Sequence, residues 1–141
     1  MTEQPRSILV VDDEADTCAN LADILTDLGF HVDTACDGES ALELVQQRPY
    51  DVALLDLKMP GMDGLGVLAQ LRPTHPALPV IVLTAQGGVD TAVGAMRAGA
   101  DDFLVKPASP ERLQVSIQNA LKVKALTGEI QRLKKTNDNR L

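Results

Sequence analysis

Short apolar runs alternate regularly along this sequence with longer segments of helical pattern. Four of the five runs are continuous and rich in Val, Ile and Leu, which is typical of parallel strands buried on both faces. The run at 31–36 alternates instead, which favours a strand near the sheet edge. The alternation predicts an α/β fold, a doubly wound five-stranded parallel sheet with helices on both faces. The predicted strands are residues 7–11, 31–36, 51–55, 79–83 and 102–105.

A helical pattern with recognisable ends follows each apolar run. Asp37 and Asp63 are predicted to cap the second and third helices, and Pro73 to end the third. Ser109 and Pro110 supply a cap and a first-turn proline for the last helix. The remaining helical patterns cover residues 15–28, 39–47 and 89–98.

The last helical segment carries two apolar stripes. The first stripe is expected to dock on the sheet and consists of Leu113, Ile117 and Leu121. The second continues past residue 121, and two interpretations stay open: a short coiled-coil seam between two copies, or a frayed linker. Gly128 argues for the linker, because glycine costs a helix about 1 kcal/mol relative to alanine. The seam residues are Val123, Leu126, Ile130 and Leu133. We therefore predict a domain over 1–121 and a helical linker over 122–141.

Length and charge limit the possible classes of function. A chain of 141 residues suffices for one ordinary domain, and its apolar fraction of 45% is that of a globular protein. Residues 1–121 carry 7 basic and 18 acidic side chains, a net charge of −11. Residues 122–141 carry 6 basic and 2 acidic side chains, a net charge of +4. Because residues 1–121 are strongly acidic, we expect them to bind nucleic acid poorly and to be able to bind a cation.

The sequence predicts a cytoplasmic protein with no membrane partner. No apolar run approaches the roughly 20 residues that cross a bilayer, and no apolar signal core follows the first residues. Cys18 and Cys36 lack a metal-type spacing and are interpreted as free thiols in a reducing compartment.

Acidic residues follow directly on two of the predicted strands. Asp12 and Asp13 come after the first strand and Asp56 after the third. If these strands are neighbours, the three carboxylates meet at one edge of the sheet. At ~4 Å each pair of charges then costs about 4 kcal/mol at an effective dielectric of ~20. Two interpretations of these acids stay open. Each acid could have a separate structural role, such as capping a helix, or the three together could bind a cation. Mg²⁺ is the cation that best fits such a site.

A threonine and a lysine stand at two further strand ends. Thr84 follows the fourth strand and Lys106 the fifth. Both side chains can donate hydrogen bonds, and an oxyanion carried on Asp56 could accept a hydrogen bond from each of them. Asp56 is therefore a candidate nucleophile toward phosphorus, as in enzymes that form an aspartyl phosphate.

Four motifs in order make the sequence closely resemble the receiver domain of two-component response regulators. They are VVDDE at 10–14, LLDLKMPGMDG at 54–64, VLTA at 82–85 and FLVKP at 103–107, and the resemblance covers about residues 7 to 121. The resemblance implies a flavodoxin-like sheet with strand order 2-1-3-4-5.

The resemblance also implies a role for each motif residue. Asp56 is similar to the phosphoacceptor, and Mg²⁺ would be held by Asp12, by Asp13, by Asp56 and by the main-chain carbonyl of Lys58. Thr84 and Phe103 resemble the switch pair, and Lys106 the lysine that contacts the phosphoryl group. The resemblance also implies that the peptide bond before Pro107 is cis. It further implies that Lys58 and Gln86 set how long the phosphoryl group survives on the protein.

The function predicted from the resemblance is a phosphorelay receiver. A partner histidine kinase or phosphotransfer protein donates the phosphoryl group to Asp56, and the face made by helix 4, strand 5 and helix 5 then changes. A coiled-coil seam in the tail would make the protein a homodimer. The tail also resembles the linker that leads from a receiver into an output domain, which alone would touch DNA. Two rivals stay open, a docking domain with an inactive acidic site and an aspartate-nucleophile phosphatase. Lys58 argues against the phosphatase, which usually has a second aspartate at that position.

Overall fold

The computed structural model describes residues 6–59, 61–85 and 87–122. Strands and helices alternate strictly along this part of the chain. The strands are β1 (Ser7–Val11), β2 (His31–Ala35), β3 (Val52–Leu55), β4 (Val80–Thr84) and β5 (Asp102–Val105). The helices are α1 (Ala15–Asp27), α2 (Gly38–Gln47), α3 (Gly64–Thr74), α4 (Val89–Arg97) and α5, described over residues 110–122.

The five strands form one parallel sheet in the order β2-β1-β3-β4-β5. This confirms both the predicted fold class and the strand order that the resemblance implied. The alternating segment is indeed the edge strand β2, but it ends at Ala35, so that Cys36 follows the strand. Strands β1 and β5 have the predicted bounds, β3 begins one residue later than predicted, and β4 is shifted by one residue so that it includes Thr84.

Aliphatic side chains fill both faces of the sheet. Helices α1 and α5 cover one face, where Leu25 and Ile117 are fully buried. Helices α2, α3 and α4 cover the other face, where Val67 and Leu68 are fully buried. Burial on both faces explains why the central strands read as continuous apolar runs.

Three predicted helix caps are present. The Asp37 carboxylate accepts a hydrogen bond from the Ser40 N–H at 2.7 Å, and Asp63 accepts one from the Gly66 N–H at 2.9 Å. The Ser109 hydroxyl accepts one from the Arg112 N–H at 3.1 Å. Each bond satisfies an N–H group that has no partner within its helix.

The prediction that Pro73 ends the third helix was wrong by one residue. Helix α3 continues to Thr74 with Pro73 in its last turn. The His75 N–H then donates to the Leu71 carbonyl at 2.6 Å, which satisfies the end of the helix despite the missing proline N–H.

The first apolar stripe of the last helix docks as predicted. Leu113 and Ile117 are fully buried, and Leu121 packs partly buried against the same core. The second stripe, from Val123 to Leu133, lies outside the described residues. Within the described ranges no helix combines the length and apolarity that crossing a bilayer requires.

Candidate functional site at the carboxyl edge of the sheet

The parallel ladder continues past two strand ends and positions the acidic residues. The Asp12 N–H donates to the Ala35 carbonyl at 3.1 Å, and the Asp56 N–H donates to the Val11 carbonyl at 2.9 Å. Because β1 and β3 are neighbours, these bonds place Asp12 and Asp56 side by side at the carboxyl edge. This edge is the usual ligand site of open α/β sheets, and the strand order reverses between β1 and β3.

Three carboxylates converge at this edge. Asp12, Asp13 and Asp56 each have an oxygen, and these atoms lie within 4.8 Å of one another. Asp12 is 1% exposed and Asp56 7%, whereas Asp13 is exposed and leaves the cluster open to solvent. Three oxygen ligands at this spacing fit a hard divalent cation such as Mg²⁺, which takes few carboxylates and keeps several waters. The predicted meeting of the three acids is therefore present.

Lys106 provides a positive charge inside the cluster. Its Nζ donates to Asp12 Oδ2 and lies 3.5 Å from Asp56 Oδ2. Burial disfavours the charged ammonium, but hydrogen bonds and charges from Asp12 and Asp56 outweigh it and raise the pKa of Lys106 above its ordinary value. One lysine offsets one of three negative charges, so a divalent cation would balance the remaining two.

The two switch candidates lie on neighbouring strands. Thr84 ends β4 beside Val105 and is 1% exposed. Phe103 lies opposite Val82 in β5 and packs partly buried against the core under α2, α3 and α4. The Lys106 N–H donates to the Thr84 carbonyl at 2.8 Å, so the backbone of the lysine is fixed to that of the threonine.

The remaining predicted residues have different surroundings. Lys58 is exposed, and its N–H donates to Asp56 Oδ1 at 3.3 Å. The peptide bond between Lys106 and Pro107 is cis. Gln86 lies outside the described residues.

Two residues that support the site were not identified from the sequence. The Cys18 thiol donates to the Asp12 main-chain carbonyl at 3.2 Å. Burial, with the nearby charges of Asp12 and Cys36, raises the pKa of Cys18 to about 11, so the thiol stays protonated. Gly64 begins α3 so close to the site that a Cβ there would lie 2.3 Å from the Asp56 carbonyl oxygen. The DG pair at 63–64 is the one sequence signal that could have indicated this close approach.

Fold and site together define an open α/β domain with an acidic, lysine-containing cluster at its topological switch point. The family model of the response regulator receiver domain matches residues 8–118. The chain belongs to the response regulator receiver domain family, whose members act in signalling and do not turn over outside substrates.

Known regulators share this domain. The transcriptional regulatory protein ZraR of Escherichia coli is 40% identical over 121 residues, covering 86% of this chain and 27% of ZraR. The alginate biosynthesis transcriptional regulatory protein AlgB of Pseudomonas aeruginosa is 41% identical over 132 residues, covering 94% of this chain and 29% of AlgB. The crystal structure of NtrX from Brucella abortus superposes with a TM-score of 0.88 at 39% identity, covering 94% of this chain and 31% of NtrX. The chain thus spans less than a third of each of these proteins.

Proposed function

We propose that Asp56 accepts a phosphoryl group from the phosphohistidine of a sensor kinase or phosphotransfer protein. The observation that carries this proposal is the meeting of Asp12, Asp13 and Asp56 within 4.8 Å, with Lys106 3.5 Å from Asp56 Oδ2. Phosphoryl transfer needs mainly positioning and charge neutralisation, and this cluster can provide both.

Each residue of the cluster has a task in this proposal. A carboxylate oxygen of Asp56 attacks phosphorus in line with the leaving imidazole nitrogen. Asp12, Asp13, Asp56 and the main-chain carbonyl of Lys58 would hold Mg²⁺, which when bound neutralises the transferred oxygens. Lys106 is close enough to Asp56 to turn from Asp12 toward the new phosphoryl group.

The phosphoryl donor belongs to a partner protein. His31 begins β2, and His75 follows α3 just before β4 begins. Both positions are at the amino edge of a parallel sheet, opposite Asp56. Neither histidine of this chain can therefore reach the acceptor.

Phosphorylation then shifts the domain between two states. It adds three acceptor oxygens and a charge of about −1.5 to −2 beside Thr84, whose hydroxyl would move toward them. Phe103 would turn into the vacated space, and the surface of α4, β5 and α5 would change. The packing of α4 supports this: Ala95 is its one buried residue, while Val89 is 79% exposed. Lys58 and Gln86 would set how long the phosphoryl group survives.

The output is proposed to be control of transcription. ZraR and AlgB are transcriptional regulatory proteins, and this domain is about a quarter of their length. The segment 122–141 would lead to an output domain that alone contacts DNA. Its apolar residues at 123, 126, 130 and 133 would join two copies in a homodimer. We infer a cytoplasmic location, since both cysteines are free thiols.

Incubation with acetyl phosphate and Mg²⁺ tests the acceptor role. Intact mass should show one phosphoryl group per chain in the unsubstituted protein and none in Asp56→Asn. The matched control is Asp23→Asn, which removes an exposed carboxylate from α1 and should leave labelling unchanged. Equal labelling of Asp56→Asn, or steady hydrolysis of phosphate esters by the unsubstituted protein, would contradict the proposal.

A further inference from the structure

Two cysteines lie beside the acidic cluster, and the proposed phosphoryl chemistry uses neither. Cys18 Sγ is 3.2 Å from the Asp12 carbonyl oxygen and 3.9 Å from the Ala35 carbonyl oxygen. Ala35 ends β2, and Cys36 is the next residue. By peptide geometry the Ala35 oxygen lies about 3 Å from the Cys36 Cα, so Cys18 Sγ is within about 7 Å of that Cα.

The direction of the chain places both side chains on the same face of the sheet. Ala35 packs into the core under α2, α3 and α4, whereas Val32 packs against the core that contains Cys18. Successive side chains of a strand alternate between faces. The Asp12 N–H donates to the Ala35 carbonyl and extends the ladder to the end of β2, so the same alternation places Cys36, four residues after Val32, on the side of α1.

The two thiols differ in access. Cys36 is exposed and Cys18 is 4% exposed. An oxidant in solution therefore reaches Cys36 first, and Cys18 is protected until Cys36 has reacted. An exposed thiol next to a second, resolving thiol is the arrangement found in redox-sensing proteins.

We propose that Cys18 and Cys36 form a redox pair, which a hydroperoxide converts into an intramolecular disulfide between α1 and the end of β2. The Cys36 sulfur takes one oxygen from the hydroperoxide, which is reduced to an alcohol or water, and becomes a sulfenic acid. The protonated Cys18 thiol passes its proton to the oxygen of the sulfenic acid as its sulfur attacks the Cys36 sulfur; the S–O bond breaks and the oxygen leaves as water. A disulfide needs Cβ atoms roughly 4 Å apart, so the reaction requires rotation of Cys36 and movement of the first turn of α1.

The disulfide would weaken the acidic cluster. Cys18 can no longer donate to the Asp12 carbonyl, and α1 is drawn toward β2. Resting on the proposed function, which makes the cluster a magnesium site, we expect the oxidised protein to bind Mg²⁺ about fivefold more weakly, the effect of one lost hydrogen bond. Oxidation would thus reduce the response to the kinase.

The test treats the full chain with hydrogen peroxide and then alkylates the remaining thiols under denaturing conditions. Intact mass should show that both thiols are lost together, and peptide mapping should show a Cys18–Cys36 linkage that a reductant reverses. In Cys36→Ser, Cys18 should stay fully alkylatable and Mg²⁺ affinity should not respond to peroxide. Covalent dimers through Cys36, or oxidation of Cys36 beyond sulfenic acid with Cys18 intact, would overturn the redox pair.

Magnesium titration of the oxidised and reduced proteins separates this inference from the proposed function. A disulfide with unchanged Mg²⁺ affinity would overturn the coupling between the pair and the cluster. If the reduced protein did not bind Mg²⁺ at all, the proposed function would fail. The intact mass and the peptide map would then still decide whether Cys18 and Cys36 form a disulfide.

Discussion

At the scale of the residue, the main feature is that Asp12 and Asp56 share the ammonium group of Lys106. Its ammonium group is held by Asp12 and lies 3.5 Å from Asp56 Oδ2. In this position it balances one of three negative charges, and a cation would compete with it for the Asp12 and Asp56 carboxylates. The same side chain would have to contact the phosphoryl group after transfer. Its loss should therefore strengthen the binding of Mg²⁺ and slow the phosphorylation of Asp56.

Lys106→Met should bind Mg²⁺ about tenfold more tightly, because the variant lacks the positive charge that repels the cation and competes with it for the carboxylates. The same variant should accept phosphoryl groups from acetyl phosphate about a hundredfold more slowly, because it lacks a donor for the developing charge. Magnesium titration and the initial rate of mass labelling measure the two effects. Lys122→Met removes the same charge from an exposed position on α5 and should change neither. A Lys106→Met protein that labels at the normal rate would exclude the proposed role.

At the scale of the element, the start of α3 is built against the site. Gly64 is buried, its N–H donates to the Leu57 carbonyl at 3.0 Å, and Asp63 caps the helix. A Cβ at residue 64 would lie 2.3 Å from the Asp56 carbonyl oxygen and 2.7 Å from the Leu57 Cα. These neighbours are main chain, so the backbone that carries Asp56 would have to move.

Gly64→Ala should therefore destabilise the domain by about 1–3 kcal/mol, the usual range for overpacking, and should also slow phosphorylation. Gly94→Ala is the matched control, because a Cβ at that position in α4 meets nothing within 4 Å. It should stabilise the protein by about 0.5–1 kcal/mol, the helix preference of alanine over glycine. Urea denaturation compares the free energies of unfolding of both variants. Equal stability of the two would contradict the close approach.

The element scale also shows what could be predicted from the sequence. Apolar runs end where polar residues begin, so the strand ends carrying Asp12, Asp56 and Thr84 could be located to within a residue. The contact of Cys18 with Asp12 and the tight approach of Gly64 to Asp56 could not. They depend on how α1 and α3 pack on the sheet, and no local pattern encodes that distance. Gln86 and the seam after residue 122 remain predictions.

At the scale of the whole molecule, three groups among the residues that the structure describes hold protons more tightly than their ordinary pKa values imply. The pKa of Cys18 is raised from 9.0 to about 11, mainly by burial. The pKa of Tyr50 is raised by burial and by its hydrogen bond to Asp33, and that of Lys106 by its carboxylate partners against the effect of burial. Because the unfolded chain releases these protons first, the folded state loses relative stability as pH rises.

The free energy of unfolding without Mg²⁺ should therefore be level between about pH 7 and about pH 8 and should fall between about pH 9 and about pH 11. Chemical denaturation across this range measures the fall. Tyr50→Phe should make the fall shallower, since it removes one of the three groups. A stability that stays level or rises with alkaline pH would contradict the assigned directions.

The position of the phosphoryl group in the chain decides whether Asp56 is the acceptor. After reaction with acetyl phosphate and Mg²⁺, borohydride reduction converts an aspartyl phosphate into homoserine, which tandem mass spectrometry can locate in the chain. We predict a single homoserine, at residue 56, that forms only when Mg²⁺ is present. Homoserine at another acidic residue, or the same yield with the metal removed by a chelator, would contradict the account.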